Sequence, residues 1–244
     1  MKIGILSDIH GNFHALQKVM EDIKAQKCEK VFCLGDVAMA GSQPRIVIDF
    51  IRKQDNWVII QGNTDKMIAE YTPELYEEVK KVYPVMANAL KDDVDIIEDD
   101  KKEYLKKLPE KRSLLIEGVK VLLVHGSPRR NNEDILPNMP MQEIERMVDN
   151  VQEDLIFCGH THIPCAYQTV SGKTVVNVGS VGRPMTPDKK ACYVIAEFKN
   201  ESFTIEHRLL DYDRLVVAKI IGMRGFEGCT TLADMILNPK ERHA

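Results

Sequence analysis

Two histidines separated by a single residue, His160 and His162, follow shortly after the apolar run 154–157. Side chains two positions apart point to the same side of an extended chain, and a loop beyond a strand end leaves both imidazoles free to bind a metal ion. Alone, the pair is weak evidence, because surface and hydrogen-bonding histidines are at least as common. It predicts a metal site only if other segments supply further ligands.

Four other segments share one organisation, in which an apolar run of strand length ends and a residue able to bind a metal follows. Those residues are Asp8 with His10, then Asp36, Asn63 and His125. Carboxylate and amide oxygens suit hard divalent ions, whereas imidazole favours transition metals. With His160 and His162 the set exceeds the four ligands that zinc usually takes, and it fits two adjacent ions that share a carboxylate.

The elements that must position these ligands alternate between strand and helix over residues 1–65. They are strand 2–7, a helix around 14–23, strand 31–34, a helix around 44–52 and strand 57–60. Alternating β and α elements predict parallel pairing, and functional loops then collect at the carboxyl ends of the strands. The ligand loops therefore converge.

The chain changes character after the Asn63 loop. Residues 66–112 are charged and helical, which predicts an insertion. Most of its charges are read as solvated helix faces, but its position makes it the candidate cap over a substrate pocket. Strand patterns between residues 166 and 209 predict a mostly antiparallel second sheet, and a helical segment follows at about 213–240. We expect one α/β domain over residues 1–244.

Composition narrows the class of protein. A chain of 244 residues with 44% hydrophobic content can bury the core of one large α/β domain. Its net charge of -4 offers no long-range attraction for nucleic acid or an anionic membrane. Six cysteines without CxxC spacing argue against a disulfide framework. Without a signal pattern or an apolar run near the ~18 residues of a membrane span, we expect a cytoplasmic protein; its oligomeric state stays open.

The ligand motifs resemble, in order, the signature of the calcineurin-like metallophosphoesterases. They are Asp8-Ile9-His10, Gly35-Asp36, Gly62-Asn63, His125-Gly126 and Gly159-His160-Thr161-His162. The segments 7–12 and 177–182 further resemble the small prokaryotic phosphodiesterase branch. The resemblance covers about residues 1–185 and implies a four-layer α-β-β-α sandwich of two mixed β-sheets.

The resemblance also implies a role for each ligand. The first metal would be bound by Asp8, His10 and His162. The second metal would be bound by Asn63, His125 and His160, with Asp36 bridging both. The implied chemistry is hydrolysis of a phosphoester by a hydroxide that bridges two divalent ions. We expect Mn²⁺, although the same ligands accept Fe²⁺, Zn²⁺, Ni²⁺ or Mg²⁺.

One position departs from the family pattern. Many members have a histidine where this chain has Thr64, and a hydroxyl cannot serve as a general acid near pH 7. We therefore expect phosphodiesters or anhydrides with good leaving groups to be better substrates than alkyl phosphomonoesters. Asp65 is expected to orient the Asn63 loop or to cap the following helix.

Substrate contacts are less well marked than metal ligands. Asn12 could donate its amide to a phosphate oxygen. Arg129 and Arg183 follow ligand motifs closely, and a guanidinium pairs well with phosphate, although a surface ion pair is the commoner role. Of the two, Arg183 is the preferred candidate.

Several functions fit the ligand set. The favoured one is a phosphodiesterase acting on a small phosphorylated substrate, and the alternative is a dinucleoside polyphosphate or nucleotide hydrolase. A Ser/Thr protein phosphatase is less favoured because of Thr64. A binding scaffold without activity would have lost ligands, yet every position is filled.

Overall fold

The computed structural model describes residues 1–239 and has two five-stranded sheets. The strands are β1 (Lys2–Leu6), β2 (Lys30–Cys33), β3 (Trp57–Ile59), β4 (Lys111–Ile116), β5 (Val119–Val124), β6 (Leu155–Cys158), β7 (Cys165–Gln168), β8 (Thr174–Asn177), β9 (Ala191–Lys199) and β10 (Ser202–Leu210). The helices are α1 (Phe13–Ala25), α2 (Pro44–Ile51), α3 (Asn63–Ala69), α4 (Pro73–Val82), α5 (Pro84–Ile96), α6 (Asp99–Lys107), α7 (Met141–Val148), α8 (Arg214–Gly222) and α9 (Cys229–Leu237).

The first sheet has the order β10-β9-β1-β2-β3, and the second has the order β4-β5-β6-β8-β7. β1 pairs in parallel with β2 and β2 with β3, as the alternation of strand and helix predicts. β5, β6 and β8 are also parallel neighbours. The carboxyl ends of both parallel sets carry the predicted ligand loops.

The side chains of β1 alternate between its two faces, and this explains how the sheets and helices form layers. Ile3 and Ile5 face the second sheet, where they pack in one apolar cluster with Phe157. Leu6 points the other way, into the cluster formed with α1 and α2. Because both faces of the strand are buried, its sequence is apolar almost throughout. With α7 on the outer face of the second sheet, the predicted α-β-β-α sandwich is confirmed.

The prediction that the strands between residues 166 and 209 form a mostly antiparallel second sheet is wrong. β7 and β8 join β6 in the second sheet, whereas β9 returns to pair antiparallel with β1 in the first. β9 carries buried residues on both faces, Val194 toward the second sheet and Tyr193 toward the helices. It therefore suits an interior position in a sheet covered on both sides.

The helices α4 to α6 lie in the predicted insertion, α3 begins three residues before it at Asn63, and β4 begins at Lys111, just inside its expected end. Three of these helices pack on the helix side of the first sheet through Ile68, Leu90 and Leu105. α4 contributes no buried residue. At the other end of the chain, α8 and α9 lie in the segment predicted at 213–240, whose last residue falls outside the described part. Among the described residues, no helix has the length and apolarity needed to cross a membrane.

Candidate metal centre

The candidate ligands meet where the loops after β1, β2 and β3 approach those after β5 and β6. Backbone hydrogen bonds join the first two loops, with the N–H of His10 donating to the carbonyl of Asp36 at 2.9 Å. The N–H of His160 donates to Oδ2 of Asp8 at 3.0 Å and joins the loops of the two sheets. The site is thus built from both sheets.

Five of the seven candidate ligands have a left-handed backbone. They are Asp8 (φ 55°), His10 (φ 46°), Asp36 (φ 52°), His160 (φ 68°) and His162 (φ 64°). This region costs a non-glycine residue about 1–2 kcal/mol, so it persists only where surrounding contacts enforce it. The conformation lets side chains close in sequence, such as Asp8 and His10, reach the same site.

Two glycines leave the space that the carboxylates occupy. A Cβ atom on Gly62 would lie 2.1 Å from Oδ1 of Asp36, and one on Gly159 would lie 2.5 Å from Oδ2 of Asp8. Both distances are impossible for real atoms. These motif glycines are therefore required by the close approach of the ligand loops.

The first group contains the three residues predicted for the first metal. Nε2 of His162 lies 3.2 Å from Oδ1 of Asp8 and 3.1 Å from Nε2 of His10. Oδ1 of Asp8 is buried and accepts no hydrogen bond within the described part of the chain. The ligand atoms of these three residues all lie within 4.8 Å of one another, which suits one divalent ion.

The second group surrounds His125. Its Nε2 lies 3.0 Å from Oδ1 of Asn63 and 3.4 Å from Oδ2 of Asp36. The same Oδ2 of Asp36 lies 3.6 Å from Nε2 of His10, in the first group. One carboxylate oxygen therefore faces both groups.

Backbone carbonyls fix the orientation of three imidazoles. The Nδ1 atoms of His10, His125 and His162 contact the carbonyls of Met39 (3.0 Å), Leu34 (2.8 Å) and Arg183 (2.6 Å). Because a carbonyl oxygen only accepts, each Nδ1 carries the proton, and a neutral ring then presents its Nε2 lone pair to the site. This arrangement is typical of metal-binding histidines.

The 3.1 Å between Nε2 of His10 and Nε2 of His162 tests whether the site fits a metal. Two lone pairs this close repel each other unless a proton or a cation lies between them. Burial, together with the neighbouring His162, lowers the pKa of His10 to about 4, so His10 itself is unprotonated at neutral pH. The pair and the unpaired Asp8 oxygen fit a metal cation.

Neighbouring charges set the protonation states of Asp8, Asp36 and His125. Burial alone would raise the pKa of Asp8, but the charges of His162 and His125 outweigh it and lower the value to about 2. The pKa of Asp36 is likewise held well below its usual range, because His125 and His10 outweigh the effect of burial. Burial opposes the charged form of His125, yet Asp36 and Asp8 raise its pKa to about 10. When no metal is bound, both carboxylates are therefore ionised, and His125 is protonated on both ring nitrogens.

Comparison with known proteins identifies the family. Residues 1–201 match the model of the calcineurin-like phosphoesterase superfamily domain. The chain belongs to this superfamily. It is 31% identical over 230 residues to an uncharacterized protein of Methanocaldococcus jannaschii, with 86% of this chain and 88% of the relative covered. Membership implies hydrolysis of phosphoesters with divalent metal ions.

Solved structures agree with this assignment at the level of the fold. A hypothetical protein of Pyrococcus horikoshii has a TM-score of 0.83 at 24% identity, over 95% of this chain and 97% of that one. A metallophosphoesterase of Sphaerobacter thermophilus has a TM-score of 0.74 at 23% identity, over 97% and 99% of the two chains. The two-sheet sandwich is thus shared with proteins of distant sequence.

His160 differs from the other candidate ligands of the phosphoesterase. Its ring packs edge-on against His125, with centroids 5.3 Å apart, and its Nε2 lies 3.3 Å from Oδ1 of Asp134. Asp134 was not predicted from the sequence, because it lies in an irregular loop outside every motif. This carboxylate therefore occupies the Nε2 atom of His160.

The predicted substrate contacts of the phosphoesterase have three different outcomes. Asn12 is a structural residue, because its Oδ1 accepts from the N–H of Ala15 and its Nδ2 donates to the carbonyl of Gly182 at 2.9 Å. Arg129 forms an ion pair with Glu133 at 2.5 Å and lines a different cavity from the one at the metal ligands. Arg183 lines the cavity beside the candidate metal ligands.

Arg183 forms no ion pair with any described residue. Its guanidinium contacts the sulfur atoms of Met86 at 3.3 Å and Met235 at 3.7 Å, both weak acceptors. Burial lowers its pKa to about 10, so it remains charged at neutral pH. A cation held this way has donors to offer to an anionic ligand.

Asp65 meets both of its predicted roles. Its Oδ2 accepts from the N–H of Gly62 at 3.0 Å, at the start of α3, and its Oδ1 accepts from the N–H of Val37 at 2.9 Å. It thereby ties the Asn63 loop to the Asp36 loop. Thr64 supports the same corner, since its N–H donates to Oδ1 of Asp36 at 2.9 Å.

The cavity at the metal ligands has a volume of about 660 Å³. His10, Asp36 and His162 form its base. Its walls come largely from α3, α4 and α5 of the insertion, including Val79 and Met86. The insertion therefore lies over the site, and its apolar walls were not predicted from the charged sequence of this segment.

Proposed function

We propose that the protein is a phosphodiesterase that depends on two divalent metal ions, with Mn²⁺ as the expected ion. The observation that carries this proposal is the position of Asp36, whose Oδ2 lies 3.6 Å from Nε2 of His10 and 3.4 Å from Nε2 of His125. A carboxylate between two sets of ligands suits a bridging role between two ions. Asp8, His10 and His162 would hold one ion, and Asn63 and His125 would hold the other.

His160 is assigned to the second set in this proposal. Its Nε2 now faces Asp134, so metal binding would require the ring to exchange that partner for the ion. Its left-handed backbone and its contact with His125 support the assignment, since both hold the ring at the edge of the second group.

When bound, two such ions supply Lewis acidity that polarises a phosphoryl group and makes a water molecule nucleophilic. The side chains of this chain do the remaining work. Arg183 donates to a non-bridging phosphate oxygen, and the carbonyls behind His10, His125 and His162 keep their rings in place. In the overall reaction the water oxygen bonds to phosphorus and the bond to the leaving oxygen breaks.

Thr64 determines which leaving groups the proposed enzyme can expel. Its hydroxyl donates to the carbonyl of Ala38 at 3.4 Å and, as an alcohol, cannot protonate a leaving group near pH 7. An aryl oxygen leaves as an anion without such help, whereas an alkyl oxygen does not. We therefore infer good activity on aryl phosphodiesters and weak activity on alkyl phosphomonoesters.

The test is to strip the protein of metal, restore Mn²⁺, Mg²⁺, Zn²⁺ or Fe²⁺ one at a time, and assay three substrates side by side. These are an aryl phosphodiester, an aryl phosphomonoester and a dinucleoside polyphosphate. We expect metal-dependent turnover that is fastest with the diester. Absence of turnover with every metal and substrate would contradict the proposal. Faster cleavage of the polyphosphate would favour the alternative, a dinucleoside polyphosphate or nucleotide hydrolase.

A further inference from the structure

Above the metal ligands the cavity is apolar, and we propose that it binds a bulky alkyl or aryl group of the phosphodiester substrate. This inference rests on the proposed function, because the phosphate has to lie at the metal ligands for the apolar group to reach the walls. It names a substrate class: diesters of a hydrophobic alcohol, as opposed to nucleotides and polyphosphates.

The apolar face of α4 is the first observation. Leu75, Val79 and Val82 follow one another at helical spacing and all line the cavity. None of the residues of α4 is buried, and Val82 is 65% exposed. An amphipathic helix normally buries its apolar stripe against the protein core. Here the stripe borders an open cavity, so an apolar ligand would complete its packing.

Methionine side chains form much of the remaining wall. Met39 comes from the loop that supports His10, Met67 from α3, Met86 from α5, and Met185 from the loop after Arg183. Their flexible, polarizable thioethers fit irregular apolar shapes and tolerate variation in the ligand. The wall therefore suits hydrophobic groups of several shapes more than one rigid group.

The charges around the cavity favour a monoanion over a polyanion. Arg183 is the only lysine or arginine among the described residues that line it. Glu78, on α4, adds a carboxylate to the lining, and it is exposed. A polyphosphate chain would bring further negative charges past Glu78, and beyond the metal site only the Arg183 guanidinium, among the described lining residues, could receive them. A phosphodiester has a single negative charge, which Arg183 and the metal site can accommodate.

The cavity is large enough to hold a bulky alkyl or aryl group. A volume of about 660 Å³ lies within the ~300–1,000 Å³ that is common for small-molecule sites. Transfer of one methylene from water to an apolar wall favours binding about fourfold. A chain of several methylenes in this cavity should therefore raise kcat/KM by orders of magnitude.

The experiment uses the metal-loaded full chain and 4-nitrophenyl alkyl phosphodiesters with methyl, butyl or octyl groups. The leaving group stays constant, so differences in kcat/KM report on the alkyl group. We expect kcat/KM to rise about fourfold per methylene until the cavity is full. Binding of methyl-, butyl- and octylphosphonate, measured by calorimetry, provides a second readout that needs no turnover, and their Kd should fall in the same order.

Variants that shorten the apolar side chains of α4 test the wall of the cavity directly. Leu75→Ala and Val79→Ala should each lower kcat/KM for the octyl diester about tenfold, with a much smaller effect on the methyl diester. Neither residue is buried in the core, so the fold should persist. Leu215→Ala truncates another leucine, on α8, which is 73% exposed and is not among the described residues that line the cavity, and it should behave as wild type.

The possible outcomes separate the two proposals. Metal-dependent turnover of the methyl diester with no gain from longer chains would overturn the apolar site and leave the phosphodiesterase intact. No turnover of any diester would overturn the phosphodiesterase, and the phosphonate series would then decide the apolar site: a falling Kd supports it, and a constant Kd contradicts it.

Discussion

His10 and His162 face each other through their Nε2 atoms at 3.1 Å, although they lie 152 residues apart in the chain. Their Nδ1 atoms are occupied by the carbonyls of Met39 and Arg183, so neither ring can turn to relieve the contact. The fold therefore directs both Nε2 atoms at one position, where a metal cation can bind both.

The first prediction concerns thermal stability. Adding Mn²⁺ to metal-stripped protein should raise Tm, because a ligand present at 100 times its Kd stabilises the native state by about 2.7 kcal/mol. His162→Gln should reduce the rise, since the first group loses a ligand. Differential scanning fluorimetry measures both effects. An unchanged Tm over a wide range of metal concentrations would contradict the assignment of the cluster as a metal site.

The second prediction concerns protons. Asp36 and Asp8 outweigh burial and raise the pKa of His125 to about 10, so below that pH the metal-free protein carries a proton where a ligand lone pair is needed. Metal uptake at pH 8 should release about one proton from this ring, and metal affinity should rise with pH toward about 10. Calorimetry in buffers of different ionisation enthalpy measures the release. Binding heats that do not depend on the buffer would contradict it.

The third prediction concerns Asp93, which supports the loop that carries Met39. Oδ2 of Asp93, on α5, accepts from the N–H of Ala40 at 2.7 Å, next to the carbonyl that holds His10. Its Oδ1 pairs with Arg224 at 2.6 Å. Asp93→Asn should weaken metal binding about tenfold or more, the usual effect of losing a residue that supports a ligand.

Asp92 is the matched control for Asp93. It pairs with the same Arg224, but the N–H of Ala40 donates to Asp93 and not to Asp92. Asp92→Asn should therefore leave metal affinity within about threefold of wild type. Equal losses in the two variants would mean that the ion pair with Arg224, and not the bond to Ala40, supports the site.

The fourth prediction concerns Thr64. Thr64→His keeps the backbone N–H that donates to Asp36 and extends an imidazole from a residue that lines the cavity. A general acid contributes about 10²–10⁴-fold where the leaving group is poor, so the ratio of phosphomonoesterase to phosphodiesterase activity should rise at least tenfold. Thr64→Asn, which adds bulk without an acid, should not raise it. No change with histidine would remove the leaving-group explanation.

Much of the site could be predicted because its ligands lie at strand ends. Parallel strands bring the loops that carry Asp8, Asp36 and Asn63 to one edge, and this follows from local patterns alone. The left-handed backbones of Asp8 and His162 could not be predicted, since such conformations are enforced by contacts with distant segments. Asp134 was missed for the same reason: only the folded loop brings it to His160.

The errors in the fold also have a long-range origin. The strand pattern at 191–198 was correct, but nothing local indicates that β9 pairs with β1 at the opposite end of the chain. The charged sequence of α4 correctly predicted a solvated helix. Its apolar residues Leu75 and Val79 face the cavity, which becomes visible only when the helix is placed above the ligand loops.

The most direct test of two cooperating ions is a titration of the metal-stripped protein with Mn²⁺, with the rate of aryl phosphodiester hydrolysis measured at each addition. If Asp36 joins two ions in one site, the rate should climb until two equivalents per chain are bound and then level off, and Asp36→Asn should lose both the second equivalent and most of the rate. A rate that levels off at one equivalent, or an Asp36→Asn variant with unchanged metal content and rate, would contradict the binuclear account.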